Sequence, residues 1–161
     1  MAQLKVIFVC LGNICRSPMA ENVMRQLVRE AGLEGKIEID SAGTASYHIG
    51  KAPHPGTRAI LAQNGIECVG RARQMTPADL MADDTWVIAM DASNRRNLER
   101  INGSHPHLHM LLDFADPAIV PADGDVPDPY YTGVFETVFK LVTSGCQGLL
   151  QKMSQTVKLA E

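Results

Sequence analysis

Apolar and polar residues are distributed along the chain in blocks that predict strands and helices in turn. Residues 4–9 form an almost unbroken apolar run, which is typical of a strand buried on both faces of a sheet. Similar or alternating patterns predict three more strands, at residues 36–40, 85–90 and 107–112. Because helical patterns separate these segments, we expect the strands to lie parallel in one sheet of four, joined by right-handed crossovers.

Amphipathic segments with a helical period lie between and after the predicted strands. In the first, Ser17 is expected to be the N-cap and Pro18 the first residue of a helix that ends near Glu30. Further helices are predicted at residues 57–64, 76–82, 91–101 (with Asp91 as cap) and 134–159, the last bent near Gly145 and Gly148. These elements predict a single α/β domain over residues 1–161, a doubly wound sheet with helices on both faces.

The segment between the first strand and the first helix indicates a site for a tetrahedral oxyanion. Cys10 ends the strand, and Arg16 follows after a tight loop of five residues. Such a loop directs backbone N–H groups inward at a helix N-terminus, and Gly12 and Asn13 tolerate the backbone conformations that it needs. Arg16 can bind two oxyanion oxygens, and the positive surroundings favour the thiolate of Cys10, a nucleophile facing a bound phosphate.

Residues 9–21, V-C-L-G-N-I-C-R-S-P-M-A-E, resemble the signature of the low-molecular-weight protein tyrosine phosphatases. The later D-P-Y-Y at residues 128–131 resembles the general-acid motif of that family. The likeness extends to D-S-A-G-T at 40–44, A-R-Q at 72–74 and A-M-D at 89–91. Both motifs occur in the expected order in a chain of the expected length, so the resemblance covers nearly the whole sequence.

The resemblance implies a protein-tyrosine phosphatase that works through a cysteinyl-phosphate intermediate. In this interpretation Cys10 is the nucleophile, Arg16 holds the phosphate, and Asp128 is the general acid and then the general base. Pro127 and Pro129 restrict the backbone on either side of Asp128. The expected partners are a phosphotyrosine-containing protein or a small aryl phosphate, with inorganic phosphate as product and inhibitor. No metal or other cofactor is expected.

Further residues are expected to bind the substrate or to support the loop. Those assigned to the substrate are Leu11, Gly12, Asn13, Ile14, Cys15, Ser17, Tyr47, Tyr130 and Tyr131, with His48 beside them in the cleft. Ser17 is expected either to hydrogen-bond the Cys10 thiolate or only to cap the helix. Asn13 resembles the family asparagine that braces the loop, with Ser41 as its partner. Gly70 stands where many members carry a histidine of the same network.

Two further expectations concern cysteines and acidic residues near the site. Cys15 matches the family cysteine that forms a reversible disulfide with the nucleophile, and a small packed side chain is the alternative. Four aspartates in the loop at residues 113–131 are expected to be solvated charges: Asp113, Asp116, Asp123 and Asp125. Of these, Asp125 is the first substitute to test for the role assigned to Asp128.

Composition and charge exclude several other classes. A net charge of −3 without a basic run argues against a nucleic-acid partner. Neither a signal peptide nor a membrane-spanning stretch is evident, so we expect a cytoplasmic protein with no membrane partner. Secretion without a signal peptide is the alternative. Four cysteines and a nucleophilic thiol suit a reducing compartment, and no Cys/His group has zinc-like spacing.

Three alternatives share the scaffold. A protein-arginine phosphatase is the first, but such specialists tend to carry threonine at the position of Ile14, which favours phosphotyrosine here. An arsenate reductase needs two further cysteines near residues 80–91, and that segment has none. A non-catalytic phosphate-binding module would be favoured by loss of Cys10, Arg16 or Asp128, all of which are present.

Overall fold

A computed structural model describes residues 4–82, 84–102 and 105–160, and its centre is a four-stranded sheet. The strands are β1 (Leu4–Cys10), β2 (Ile37–Gly43), β3 (Thr85–Ala89) and β4 (Leu108–Met110). All pair in parallel in the order β2-β1-β3-β4, which confirms the predicted parallel, doubly wound sheet. β2 runs three residues beyond its predicted end, because Ser41, Ala42 and Gly43 continue the pairing with β1 as far as Cys10.

Five α-helices are described: α1 (Arg16–Glu30), α2 (Pro55–Gln63), α3 (Ala92–Asn102), α4 (Pro129–Thr132) and α5 (Phe135–Ala160). Two 3-10 helices are also described, Pro77–Leu80 and Leu111–Phe114. The helix Leu111–Phe114 and α4 occupy parts of the segment at 113–131 that was predicted to be a loop. In the described ranges, no helix is both long and apolar enough to cross a lipid bilayer.

The two faces of the sheet are buried by different elements, which explains why β1 is apolar at successive positions. Val6 and Phe8 of β1 pack in a large cluster with residues of α1 and α5. Ile7 and Val9 point to the opposite face, in a second cluster with residues that include Leu98 of α3. Because every residue of β1 from Val6 onward is buried, its carboxyl end is held rigidly where the next loop begins.

The starts of two helices differ from the sequence prediction. α1 begins at Arg16 with Cys15 at the N-cap, so Ser17 is the second residue of the helix and not its N-cap. The Ser17 hydroxyl contacts the side chains of Cys10 and Asn13 instead. α2 begins at Pro55, two residues earlier than predicted, because the ring of His54 accepts a hydrogen bond from the Gly56 N–H and so caps the helix.

Gly145 and Gly148 serve close packing, and α5 is continuous across both positions. A Cβ atom on Gly145 would lie 2.6 Å from Cγ of Leu111. A Cβ on Gly148 would overlap the backbone carbonyl of Phe114. The glycines therefore let the 3-10 helix Leu111–Phe114 lie directly against α5, a tertiary role that the sequence prediction of a bend did not include.

We expect Gly148→Ala to destabilise the protein. Alanine at an unobstructed helix position would raise the free energy of unfolding by about 1 kcal/mol relative to glycine. Here the collision with the Phe114 carbonyl should lower it by a net amount of about 1–3 kcal/mol. Urea unfolding measures the change, with Gln155→Ala at an exposed position of α5 as the control. Equal or greater stability of Gly148→Ala would contradict this packing argument.

Candidate active site

The loop of residues 11–15 joins β1 to α1 at the carboxyl end of a central strand. Its first turn is tied to the chain beyond β2, because the N–H of Thr44 donates to the Cys10 carbonyl and that of Ala45 to the Leu11 carbonyl. A Cβ on Gly43 would stand 2.8 Å from that Leu11 oxygen. Glycine at the end of β2 therefore lets the loop approach the sheet closely.

The loop leaves a set of backbone donors without protein partners. Within the described part of the chain, none of the N–H groups of residues 11–16 donates a hydrogen bond to another group. They lie between Cys10 and the first turn of α1, whose dipole adds positive potential at the same place. This arrangement is a binding site for an anion with several oxygens.

The side chain of Asn13 holds the loop in this shape. Asn13 is the one described non-glycine residue with a positive φ, 57°, as its tolerance of left-handed geometry predicts. Its Nδ2 donates to the hydroxyls of Ser17, at 2.8 Å, and Ser41, at 2.9 Å. Its Oδ1 accepts from the N–H of Arg73 at 3.0 Å. The predicted pairing of Asn13 with Ser41 is confirmed.

Ser17 contacts the thiol of Cys10, with 3.0 Å between Oγ and Sγ. Because Ser17 Oγ accepts a hydrogen from Asn13, its own hydrogen can be donated to Cys10 Sγ or, over a longer distance of 3.5 Å, to the Ala42 carbonyl. A hydroxyl that donates to sulfur stabilises the thiolate, and so does the N-terminus of α1. Of the two roles predicted for Ser17, the structure therefore supports the hydrogen bond with Cys10 and not the helix cap.

Glu21 completes the network at the position where the expected histidine is missing. Ser41 donates its hydroxyl directly to Glu21 Oε1, and the Glu21 carboxylate also accepts from Arg25 at 2.7 Å. Gly70 adopts a φ of +101°, and a Cβ there would stand 3.6 Å from Glu21 Oε2. With no side chain at Gly70, Glu21 reaches Ser41 without an intermediate group. The network is thus closed by a buried carboxylate.

Arg16 is buried, and part of its guanidinium is already occupied. Nη1 donates to Asp91 Oδ2 at 2.6 Å and to the Val126 carbonyl at 3.0 Å, while Nη2 lies 3.4 Å from Asp128 Oδ2. Nε is buried without a partner among the described residues. Burial alone would lower the pKa of Arg16, but the charges of Cys10, Asp91 and Asp128 raise it above the usual value. Arg16 is therefore a permanent cation with a spare donor.

Asp91 is the site residue that sequence reasoning missed. Its predicted role as helix cap is confirmed, because Oδ1 accepts from the N–H of Asn94 at 2.7 Å. Its other oxygen forms the ion pair with Arg16. The available signal was its position directly after β3, since β3 neighbours β1 and the carboxyl ends of parallel strands meet at one edge.

Asp128 faces Arg16 from the loop that follows the sheet. It is the N-cap of α4, and its Oδ1 accepts from the N–H of Tyr130 at 3.1 Å while Oδ2 approaches Arg16. The side chain thus closes one side of a cavity of about 210 Å³.

Most of the predicted site residues surround this cavity. Its lining comprises Cys10, Leu11, Gly12, Ile14, Cys15, Arg16, Tyr47, His48, Asp128, Tyr130 and Tyr131. Asn13 and Ser17 are not part of this lining; they are buried and support the loop from below. The cavity therefore has a polar floor formed by the loop and aromatic residues at its walls.

Of the four loop aspartates expected to be solvated charges, Asp113, Asp116 and Asp123 are exposed, as predicted, and Asp125 is half-buried. All four accept a hydrogen bond from a backbone N–H group. Asp113 accepts from Met110, and Asp116 accepts from Ala118. Asp123 accepts from Asp125, and Asp125 accepts from Ala92. A chain segment without strand partners needs such acceptors for its N–H groups. Asp125 is directed at the start of α3.

The four cysteines are free thiols in different environments. Burial, together with the neighbouring charges of Cys10 and Asp128, raises the pKa of Cys15 to about 12, although Arg16 acts in the opposite direction. Burial also raises the pKa values of Cys68 and Cys146. Cys10 and Cys15 border the same cavity. Cys10 is thus the one cysteine whose described contacts include a hydroxyl donor at a helix N-terminus.

Comparisons with known proteins identify close relatives. A family model described as low molecular weight phosphotyrosine protein phosphatase matches residues 5–159. The low molecular weight protein-tyrosine-phosphatase YfkJ of Bacillus subtilis is 47% identical over 159 residues, which cover 97% of this chain and 99% of YfkJ.

Solved structures give the same result. The crystal structure of YfkJ matches with a TM-score of 0.89, covering 97% of this chain and 98% of that one. A protein tyrosine phosphatase from Entamoeba histolytica with Hepes in its active site is 32% identical, with a TM-score of 0.86 and coverage of 95% and 98%. DARP, a drosophila arginine phosphatase, is 30% identical, with a TM-score of 0.81 and coverage of 92% and 97%.

We expect alkylation of the native protein near neutral pH to modify Cys10 first. Iodoacetamide reacts with thiolates, and the raised pKa values keep Cys15, Cys68 and Cys146 protonated. Peptide mass mapping over time measures the order of labelling, and inorganic phosphate should slow the reaction at Cys10 but not at Cys68 or Cys146, which lie outside the described cavity lining. Faster labelling of any other cysteine would contradict the assignment of the reactive thiol.

We expect Ser17→Ala to slow alkylation of Cys10 about tenfold, because a hydrogen bond to a charged group is lost. The rate of labelling is measured by peptide mass mapping, with Ser154→Ala of α5 as the matched control. Equal rates for Ser17→Ala and the wild type would show that Ser17 has no influence on the reactivity of Cys10.

Proposed function

The chain is a hydrolase of the low molecular weight phosphotyrosine protein phosphatase family, as its sequence resemblance predicted, and we propose that it cleaves phosphotyrosine in proteins and small aryl phosphates through a covalent intermediate on Cys10. The observation that carries the proposal is the convergence on one cavity of a thiol, a buried arginine and the unpartnered N–H groups of residues 11–16.

In the proposed complex, the phosphoryl group occupies the loop. Its nonbridging oxygens accept from the N–H groups of residues 11–16 and from the spare donors of Arg16. An oxygen that binds Nη2 takes the place of Asp128, whose own contact with that nitrogen is long, at 3.4 Å. The substrate thereby releases the carboxyl group that has to exchange a proton.

The first chemical step transfers the phosphoryl group to the enzyme. The Cys10 thiolate attacks phosphorus in line with the leaving oxygen, so that an S–P bond forms as the bond between phosphorus and the phenolic oxygen breaks. Protonated Asp128 gives its proton to the departing phenolate. Arg16 and the loop N–H groups carry the charge of the equatorial oxygens throughout, in the way that preorganised donors stabilise a transition state.

The second step regenerates the enzyme. Asp128, now ionised, accepts a proton from a water molecule as that water attacks phosphorus. The S–P bond breaks, and inorganic phosphate and the Cys10 thiolate result. Because phosphate fits the same donors as the substrate, we propose that the product also inhibits. Ser17 stabilises the thiolate as leaving group in this step.

The cavity walls support a preference for an aromatic phosphate ester. Tyr47, Tyr130 and Ile14 lie in the lining of the cavity. A phenyl ring reaches deeper than the side chain of phosphoserine and contacts such walls. The likeness to DARP supports protein-arginine phosphatase as the second candidate function, and Ile14 favours phosphotyrosine over it.

We further propose that Cys15 is a redox partner of Cys10 and that the protein acts in the cytoplasm. Both thiols border the cavity, and a peroxide that oxidises Cys10 to a sulfenic acid would let Cys15 form a disulfide with loss of water. Four unpaired thiols, one of them the nucleophile, suit a reducing compartment.

Hydrolysis of p-nitrophenyl phosphate in the presence of a chelator tests the mechanism. We expect Cys10→Ser to abolish turnover because no thiolate remains. Asp128→Asn should lower kcat by about a hundredfold or more, the usual contribution of a general acid and base. Asp125→Asn is the matched control, because asparagine keeps the acceptor for the Ala92 N–H, and its activity should equal that of the wild type.

Loss of activity in Asp125→Asn but not in Asp128→Asn would reassign the acid. A wild-type protein that binds phosphate or vanadate but turns nothing over would favour a binding module. The same panel is then measured on phosphotyrosine and phosphoarginine peptides. A higher kcat/KM for phosphoarginine would favour the second candidate function.

A further inference from the structure

The cavity lies between two chain segments of opposite charge. One, here called the basic wall, comprises residues 45–54 and 70–72, and it contains Lys51 and Arg71 but no aspartate or glutamate. The other, the acidic wall, comprises residues 123–136, which hold no lysine or arginine and four acidic residues; Asp128 pairs with Arg16, while Asp123 and Glu136 are exposed. Tyr47 and His48 of the basic wall and Tyr130 of the acidic wall border the same cavity.

Backbone contacts fix the two parts of the basic wall to each other. The Gly50 N–H donates to the Ala72 carbonyl, and the Ala72 N–H donates to the Lys51 carbonyl, each at 2.8 Å. Arg71 Nη1 donates to the Gly50 carbonyl at 3.1 Å. Lys51 Nζ lies 3.3 Å from Nδ1 of His48, a residue of the cavity lining. The two cations are therefore held beside the mouth of the cavity.

Neither cation is neutralised by a described carboxylate. Within residues 4–82, 84–102 and 105–160, Lys51 and Arg71 form no ion pair with a carboxylate, and both are exposed. Other arginines differ, because Arg25 pairs with Glu21 and Arg73 with Asp40 and Asp79. In the same wall, Tyr47 and Ile49 expose 71% and 58% of their surfaces. The basic wall thus offers charge and apolar area to a partner.

We propose that the basic wall selects phosphotyrosine segments that carry acidic residues on one side of the phosphotyrosine. This proposal rests on the proposed function and specifies its substrate class. With the phosphotyrosine in the cavity, a peptide chain leaves across the basic wall on one side and across the acidic wall on the other. Acidic side chains on the first side pair with Lys51 and Arg71, and on the second side they are repelled.

Walls of opposite charge predict a preference that depends on the side of the phosphotyrosine on which the acidic residues lie. Positive charge near the loop alone would favour every phosphate ester equally, including p-nitrophenyl phosphate. Walls of opposite sign instead favour acidic residues on one flank and disfavour them on the other. Each exposed pair contributes modestly, so two pairs amount to a preference of about threefold to tenfold. Salt should reduce that preference, because both cations are exposed.

The test uses three phosphotyrosine peptides with neutral flanks, with two glutamates before the phosphotyrosine, and with two glutamates after it. The readout is the ratio of kcat/KM for each acidic peptide to that for the neutral one, measured at low and at high salt. We expect one acidic peptide to exceed the neutral one by about threefold to tenfold at low salt, and the other to fall below it.

Charge-reversal variants then locate the effect. Lys51→Glu and Arg71→Glu should each reduce or reverse the preference. Lys152→Glu on α5 changes the net charge equally, at an exposed position outside the described cavity lining, and should keep it. Because each ratio is taken within one protein, a general change in activity cancels.

Failure of the peptide preference and failure of the proposed function give different results. Equal kcat/KM for all three peptides, or equal gain from both acidic flanks, would overturn the proposal while the proposed function stands. A preference that survives in Lys51→Glu and Arg71→Glu would do the same. A wild-type protein that hydrolyses neither the peptides nor p-nitrophenyl phosphate would overturn the proposed function, and this inference with it.

Discussion

The site depends on one constraint: the N–H groups of residues 11–16, in the loop after β1 and at the start of α1, must stay free of acceptors, and no described group accepts from them. A chain that leaves so many donors unpaired has to be held open by other bonds. Asn13 supplies them, because its amide bonds to Ser17, Ser41 and the Arg73 backbone while its own backbone is left-handed. The anion site is thus a consequence of side-chain bracing from below, with the donors left for a ligand.

Arg16 connects this loop to the rest of the active edge of the sheet. Its guanidinium contacts Asp91 after β3 and the Val126 carbonyl and Asp128 in the later loop. The arginine that is proposed to bind the phosphate therefore also sets the position of the proposed acid. Binding of a phosphoryl group and release of the Asp128 carboxyl become one event, because both compete for the same donor. In the proposed mechanism, substrate capture is therefore coupled to readiness for proton transfer.

Local patterns in the sequence predicted the parallel sheet and the anion-binding loop at the end of β1, because each is encoded within a few neighbouring residues. The expectation that Tyr47, Asp128, Tyr130 and Tyr131 belong to the site came from the family resemblance instead. The contacts that were missed join distant positions. Asp91 lies 75 residues from Arg16, and Glu21 lies 20 residues from Ser41. Gly145 and Gly148 were interpreted as a bend for the same reason, since their packing partner is a separate 3-10 helix. Contacts between residues that are distant in the sequence leave no pattern among neighbouring residues from which they could be predicted.

The most direct test of the account is detection of a phosphoryl group on Cys10 during turnover. The protein is mixed with p-nitrophenyl phosphate, quenched, and mapped by peptide mass spectrometry. We expect phosphorylation of the peptide that contains Cys10, at higher occupancy in Asp128→Asn, because that variant lacks the base for the second step while the activated phenol still departs. Rapid turnover with no phosphorylated Cys10 in either protein would contradict covalent catalysis at this loop.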